Sequence, residues 1–230
     1  MHRSARWVLP CLSCRVRKRS RNGLFGGNLY TIQGGNFDDL GDDIIWATTD
    51  FIDLGLPSKI LWNDENVGSI RPQYHGKYYA WAEVESKSDY TWANYSQDVS
   101  NLKDYDFGYW NGYTNLPIGQ MSYNGNLYKS GIPTKAEYTE LVDNCTLTET
   151  TISGVKGVKF TSKINGKYIF LPYAGSYYDG KTPDDGTASY YWTSTSSDSQ
   201  KACSVSLKGG KATSTTCQKR TGLPYRTVAR

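Results

Sequence analysis

Histidine is almost missing from this sequence. The 230 residues include two histidines, His2 in a basic N-terminal stretch and His75 in a segment that favours a loop. Nucleophilic catalysis by serine or cysteine needs a histidine base that a third group orients. Cys145 falls on the core face of a predicted helix, so it is a poor partner for His75. The sequence therefore predicts a protein that is not an enzyme.

Long apolar runs are missing as well. No stretch approaches the roughly 20 apolar residues that a membrane-spanning helix needs, so no membrane span is predicted. The segment Trp7 to Cys14 follows basic residues, but it is short for a signal-peptide core and Pro10 interrupts it.

Cysteine is scarce and scattered. An odd number of five, at wide spacing, does not form a disulfide framework. Cys11 and Cys14 have the spacing of half a zinc site, yet no second pair completes it. Asn63 and Asp64 follow Trp62 as in calcium-binding lectins, but no partner motif exists, and a buried tryptophan followed by a turn is the expectation. No metal and no cofactor are predicted.

Positive charge is unevenly distributed. Seven basic residues and no acidic residue lie within positions 1–22. Removing those seven from the 26 basic residues leaves 19 against 22 acidic residues, a net charge of −3. The predicted folded part therefore does not attract nucleic acid through phosphate contacts.

Aromatic residues are plentiful, with 19 tyrosines and 7 tryptophans. Each can bury a large area while its polar atom keeps a hydrogen-bond partner, so a sizeable core is possible despite few aliphatic residues. Tyr177 and Tyr178 precede an Asp-Gly turn, which makes them the best candidates for exposed aromatic residues that contact a ligand.

The chain divides into a basic, Gly- and Asn-rich extension at 1–45 and a binding domain at 46–230. Alternation predicts strands over Phe51 to Leu56 and Lys77 to Glu83. Residues 100–130 are rich in Asn, Gly, Tyr and Asp and are predicted to form long loops.

One helix is clearly predicted. Thr134 and Glu137 form a capping box, and Tyr138, Leu141, Val142 and Cys145 follow at the spacing of one helical face. Asn144 can end this helix.

Two hairpins follow the helix. Asn165-Gly166 separates the strands Val155 to Ser162 and Lys167 to Pro172, and Gly209-Gly210 separates Ala202 to Leu207 from Ala212 to Cys217. A further strand is predicted over Tyr190 to Thr195. If the second hairpin has a three-residue loop, Cys203 faces Cys217 and a disulfide is possible; a register shift of one residue removes it.

Nine segments in order resemble the Fibrobacter major paralogous domain family, which is abundant in Bacteroidetes and their phages. They are FIDLGLPS, LW, NVGS, YYAWAE, YTWANY, GIPTKAEYTELVDNC, VKGVKFTSKINGKYIFLPYAG, YYWTSTS and RTGLPYRTV, between Phe51 and Val228. The resemblance implies an α+β, C-type-lectin-like fold with short antiparallel strands, long loops and one or two helices. It also implies kinship with variable proteins that retroelements diversify.

In such variable proteins, a C-terminal stretch carries the hypervariable contacts on a fixed scaffold. The resemblance places Tyr191 to Thr195, Arg220 and Arg226 in the scaffold. With Tyr177 and Tyr178, the predicted ligand-binding residues are Ser196, Ser197, Asp198, Ser199, Gln200, Lys201, Cys203, Lys208, Lys211, Thr213, Thr215, Thr216, Cys217, Gln218, Lys219, Thr221 and Leu223.

The predicted function is therefore non-catalytic recognition of a cell-surface protein or glycan, outside the cytoplasm, on a bacterial cell surface or a phage virion. Two alternatives stay open. One is a structural or adhesive surface module. The other is an enzyme that resembles the formylglycine-generating branch of this fold, which would need Cys203 and Cys217 as reduced thiols in a cleft.

Overall fold

A computed structural model describes residues 51–83, 85–96, 120–123 and 126–230 of the chain. The predicted extension at 1–45 and the first residues of the predicted binding domain lie outside this range. Residues 100–119, most of the segment that was predicted to form long loops, also lie outside it.

The predicted helix is confirmed as α1, Lys135–Asn144. The Thr134 hydroxyl accepts a hydrogen bond from the Glu137 amide at 3.1 Å, and the Glu137 carboxylate accepts one from the Thr134 amide at 2.6 Å. This reciprocal pair satisfies two amide groups that the first turn leaves without helical partners. Tyr138 and Leu141 are buried, as the spacing predicts.

The strands of the described residues form three antiparallel sheets. The first has five strands in the order β1-β2-β11-β4-β3, so the last strand of the chain lies at its centre. The other two have three strands each, in the orders β5-β6-β7 and β10-β9-β8. The strands are β1 Phe51–Asp53, β2 Leu61–Asn66, β3 Gln120–Tyr123, β4 Asn126–Gly131, β5 Cys145–Ile152, β6 Val155–Ser162, β7 Tyr168–Pro172, β8 Ala188–Ser196, β9 Lys201–Lys208, β10 Lys211–Gln218 and β11 Arg226–Ala229.

Both predicted hairpins are confirmed, but the register of the second differs from the prediction. Gly209 and Gly210 form a two-residue turn with φ of 57° and 72°, the backbone that this kind of hairpin requires. Cys203 therefore lies opposite Thr216, and Cys217 lies opposite Ala202. The observed register is the alternative that separates the two thiols, and neither Cys203 nor Cys217 forms a disulfide.

Several strand predictions are corrected. Residues 77–83 form no continuous strand: only Tyr79 makes a bridge, to Leu223, and Ala82 has a φ of 66°, which breaks the extended backbone. The strand predicted over Phe51 to Leu56 is shorter in the structure, where β1 ends at Asp53. The Asp53 carboxylate accepts a hydrogen bond from the Gly55 amide.

Two further corrections concern strands that were predicted as turn or loop. Asn63 and Asp64 lie inside β2 and form no turn. The strands β3 and β4 lie within the segment that was predicted to form loops.

A polar network joins the three sheets inside the aromatic core. The guanidinium of Arg226, which is fully buried, donates to Asn66 Oδ1 at 3.0 Å, to the Asn63 carbonyl at 3.1 Å and to the Phe170 carbonyl at 2.7 Å. Asn66 in turn donates to the Tyr191 hydroxyl at 3.1 Å, which reaches the third sheet. Around this network pack large apolar side chains, including Trp62 and Tyr138 with ring centroids 4.9 Å apart.

The described residues thus form an α+β domain of mainly antiparallel strands with a single α-helix. No helix among them is both long enough and apolar enough to cross a lipid bilayer.

Replacement of Arg226 by methionine tests the network. Arg226→Met removes the donors of three buried acceptors, and each orphaned acceptor costs about 1–3 kcal/mol. We therefore expect the free energy of unfolding, measured by urea denaturation, to fall by at least about 3 kcal/mol. Arg71→Met, at an exposed arginine, serves as the control and should change stability by no more than about 0.5 kcal/mol. Equal effects of the two substitutions would contradict the role of the network.

Candidate binding surface

One face of the sheet β10-β9-β8 packs on the main core cluster. The other face is buried at Trp192 and Ala202, which belong to a second core cluster, and opens outward only toward the β10 edge at Thr213. Side chains alternate along a strand and cross-strand partners share a face. Tyr191, Val205 and Leu207 belong to the inner face and pack in the main core cluster. The opposite face carries a row of polar side chains, named here the outer row: Tyr190, Ser206, Thr213, Thr215 and Cys217.

The outer row is accessible at the β10 edge. Thr213 is exposed, while Tyr190, Ser206, Thr215 and Cys217 are half-buried. The Tyr190 hydroxyl donates to Asp184 at 3.4 Å, which holds the ring in place. The row therefore presents hydroxyl groups on a rigid strand framework.

The connection between β8 and β9 is exposed and internally braced. The Asp198 carboxylate accepts hydrogen bonds from the amides of Gln200 at 2.8 Å and Lys201 at 2.7 Å. The bond from Gln200 is the main cause that lowers the pKa of Asp198. Residues 197–200 are all exposed, as predicted, on a turn of fixed shape.

Two predicted residues, Tyr177 and Tyr178, lie in an aromatic cluster. Tyr178 is 41% exposed, but Tyr177 is half-buried, with its ring 5.2 Å from Tyr90. Arg220 places its guanidinium carbon 4.9 Å from the Tyr178 centroid and 6.0 Å from that of Trp92.

The end of β10 leads directly into this aromatic cluster. Gln218 accepts a side-chain hydrogen bond from Arg220 Nε at 2.9 Å, and the Gln218 carbonyl accepts one from the Thr221 amide at 2.8 Å. The Gln200 carbonyl also accepts a hydrogen bond from the Lys219 amide at 2.8 Å. These contacts gather one group of side chains, named here the strand-end cluster: residues 197–200, Gln218, Arg220, Thr221, Tyr178 and Trp92.

Not all predicted residues reach this region. Lys208 and Lys211 are exposed, but they flank the Gly209-Gly210 turn at the opposite end of the hairpin. An eight-residue strand spans about 25 Å, so one small ligand cannot contact both ends.

The structure buries three of the predicted ligand-binding residues. Cys203 is 7% exposed, on the inner face of β9. Lys219 is fully buried, with its ammonium 4.7 Å from the Trp81 centroid, and this burial lowers its pKa. Leu223 is fully buried, and its amide donates to the Tyr79 carbonyl at 3.0 Å.

The two thiols of the catalytic alternative do not share a site. Cys203 belongs to the inner face of the sheet and Cys217 to the outer row, because their strand partners alternate. Cys217 lies 3.4 Å from the Ser204 hydroxyl, and its burial raises the pKa of the thiol. This arrangement differs from the paired reactive thiols that the alternative needs.

Trp92 and Arg220 are functional candidates that sequence reasoning did not select. Arg220 follows the buried Lys219 and resembles a scaffold position, and Trp92 is 128 residues earlier in the chain. The only local signal was the exposed Asp-Gly turn beside Tyr178. Tertiary packing brings the three residues together, so no periodicity identifies them.

Residues 175–182, GSYYDGKT, have the spacing of a phosphate-binding loop. Such a loop needs a helix that starts directly after it and presents its amides to the phosphates. Here turns and β8 follow instead, and Lys181 exchanges backbone hydrogen bonds with Tyr178. The segment is therefore a loop that positions Tyr178.

A shallow depression of about 480 Å³ lies beside the loop 68–76, and none of the predicted ligand-binding residues lines it. In this region His75 pairs with Asp185 at 3.4 Å. Among the described residues, no group of three or more His, Cys, Asp or Glu side chains is arranged to hold a metal ion.

No family model, curated protein or solved structure matches this chain.

Thiol reactivity tests the arrangement of the cysteines. Burial raises the pKa of Cys145 to about 11 and also raises that of Cys217, so both stay protonated at neutral pH and gain reactivity only as the pH rises. We expect Cys145, Cys203 and Cys217 in the folded chain to react with iodoacetamide at pH 7.5 at least about tenfold more slowly than free cysteine. Peptide mapping by mass spectrometry assigns the sites. Fast labelling of both Cys203 and Cys217 would restore the catalytic alternative.

Proposed function

We propose that this chain is a non-catalytic recognition domain with a C-type-lectin-like fold, and that it binds a cell-surface protein or glycan. The outer row and the strand-end cluster are its contact surface. The domain acts outside the cytoplasm, on a bacterial cell surface or a phage virion.

The single observation that carries this proposal is the outward-facing polar row on a rigid sheet. Thr213 and Thr215 extend from β10, whose neighbour β9 is buried at Val205 and Leu207 on its other face. The framework is therefore fixed by packing, while the hydroxyl groups stay accessible. Short hydroxyl side chains beside tyrosine provide adaptable hydrogen bonds next to apolar area, as in antibody paratopes.

The same arrangement suits sequence variation. Exposed substitutions away from special features usually change stability by less than about 0.5 kcal/mol. Exposed positions such as Ser199, Thr213 and Thr216 can therefore change without loss of the fold. The buried Lys219 and Leu223 cannot, because their replacement would disturb packing around Trp81 and Tyr225.

The catalytic alternative has less support. Its two thiols lie on opposite faces of the sheet, and burial raises the pKa of one of them. Recognition needs only the surface that the exposed residues already provide.

A pair of arginine substitutions tests recognition. The full-length protein is screened against a printed array of bacterial glycans and a panel of intact bacterial cells. For every target bound, we expect Thr213→Arg to weaken binding at least about tenfold, because the long side chain covers the outer row. The melting temperature should change by no more than about 2 °C, since Thr213 is exposed.

Thr146→Arg is the matched control. Thr146 is also an exposed threonine on an edge strand, β5, and it also lies opposite a neutral hydroxyl residue, Thr161. It should leave binding unchanged. Binding that both substitutions weaken equally, or that neither weakens, would contradict the assignment of the outer row.

Gene sequences from related isolates test diversification. We expect substitutions to concentrate at exposed positions between 196 and 221, and to spare Cys203, Lys219 and Leu223, because these three are buried. A near-copy template and a reverse transcriptase gene should lie beside the gene. Substitutions spread evenly along the chain would instead favour the structural or adhesive module.

A further inference from the structure

The guanidinium of Arg220 lies near two exposed aromatic rings. Its central carbon is 4.9 Å from the Tyr178 centroid and 6.0 Å from the Trp92 centroid. Tyr178 is 41% exposed and Trp92 is 37% exposed, whereas most aromatic side chains in the described part of the chain are buried. A half-buried flat cation and two exposed aromatic rings thus lie together at the end of the sheet.

Two hydrogen bonds orient the guanidinium of Arg220 and use only part of its N–H donors. Nε donates to Gln218 Oε1 at 2.9 Å and Nη1 donates to the Tyr90 carbonyl at 3.0 Å. A guanidinium has five N–H donors, so three make no hydrogen bond to the described residues. Among the described residues no Asp or Glu forms an ion pair with Arg220, although carboxylates do pair with Lys87, Lys156 and Arg230.

The chemistry of this arrangement suits one kind of anion. A guanidinium matches the planar, two-oxygen geometry of a carboxylate and can bind it through two parallel hydrogen bonds. A pyranose ring attached to that carboxylate would lie against one of the neighbouring aromatic rings, which offer flat apolar area. A flexible acidic side chain of a peptide has no rigid face of that size to use.

We propose that Arg220, Trp92 and Tyr178 form a subsite for a carboxylate-bearing sugar, such as a uronic acid, within the recognition surface. This inference rests on the proposed function and specifies its ligand class. Arg220 supplies the charge and the paired hydrogen bonds, and the two rings select a saccharide over other carboxylates. Gln218 and the Tyr90 carbonyl hold the guanidinium in place before the ligand arrives.

Nuclear magnetic resonance of the full-length protein tests this subsite with glucuronate as the probe and glucose and acetate as controls. We expect glucuronate to shift the Trp92 indole N–H and Arg220 Nε–H signals, while glucose and acetate at the same concentration leave them in place. Arg220→Lys should weaken glucuronate binding at least about tenfold, because lysine keeps the positive charge but cannot form the two parallel hydrogen bonds of a guanidinium. Arg220→Gln should abolish the shifts.

Arg71→Gln is the matched control, since Arg71 also lies over a tyrosine, Tyr74, at 5.8 Å but on a different loop. It should leave the titration unchanged. An equal response to glucose would overturn the role of the carboxylate, and an equal response to acetate would overturn the role of the rings. Shifts caused by a poly-glutamate peptide but not by glucuronate would overturn the proposal that the ligand is a saccharide.

Two results separate this inference from the proposed function. If array or cell binding is lost in Thr213→Arg but kept in Arg220→Gln, recognition stands and the subsite is wrong. If glucuronate binds as expected but Thr213→Arg leaves every array and cell signal intact, the subsite stands and the outer row is not the contact surface.

Discussion

The buried guanidinium of Arg226 connects the three sheets of this domain through hydrogen bonds. The Arg226 guanidinium reaches β2 through Asn63 and Asn66 and reaches β7 through Phe170, and Asn66 extends the network to Tyr191 in β8. Burial lowers the pKa of Arg226, since the charged form loses water. Hydrogen bonds to carbonyl and amide oxygens, together with the nearby charges of Asp64 and Glu65, offset that loss and stabilise the buried cation.

Indole groups fix the segments that surround this network. Trp81 Nε1 donates to the Thr193 carbonyl and Trp192 Nε1 donates to the Tyr79 carbonyl, both at 2.8 Å. The irregular segment around residues 79–83 is thus anchored to β8 although it forms no continuous strand. The contact surface inherits this rigidity, because β8 and the residues after β10 are both attached to the same anchored segment.

Local signals predicted local structure well. The capping box at Thr134 and the Asn165-Gly166 turn depend on neighbouring residues only, and both predictions were confirmed. The register of the second hairpin depends on whether its loop has two or three residues, and two glycines permit either. Strand β5 was not predicted because its Thr- and Glu-rich face is largely exposed. Arg220 and Trp92 meet only through tertiary packing, so the sequence alone did not reveal the strand-end cluster.

The two-residue glycine turn also limits how β10 can evolve. Its outward and inward side chains alternate one by one, so inserting or deleting one residue after Gly210 would exchange the two rows. Ala212, which packs against the main core, would then be replaced in that place by Lys211 after an insertion or by Thr213 after a deletion. Substitutions at the exposed positions of this strand preserve the fold, whereas a change in the length of the strand would disrupt the packing of the sheet. Homologous genes should therefore show amino-acid substitutions between Lys211 and Gln218 but no insertions or deletions there.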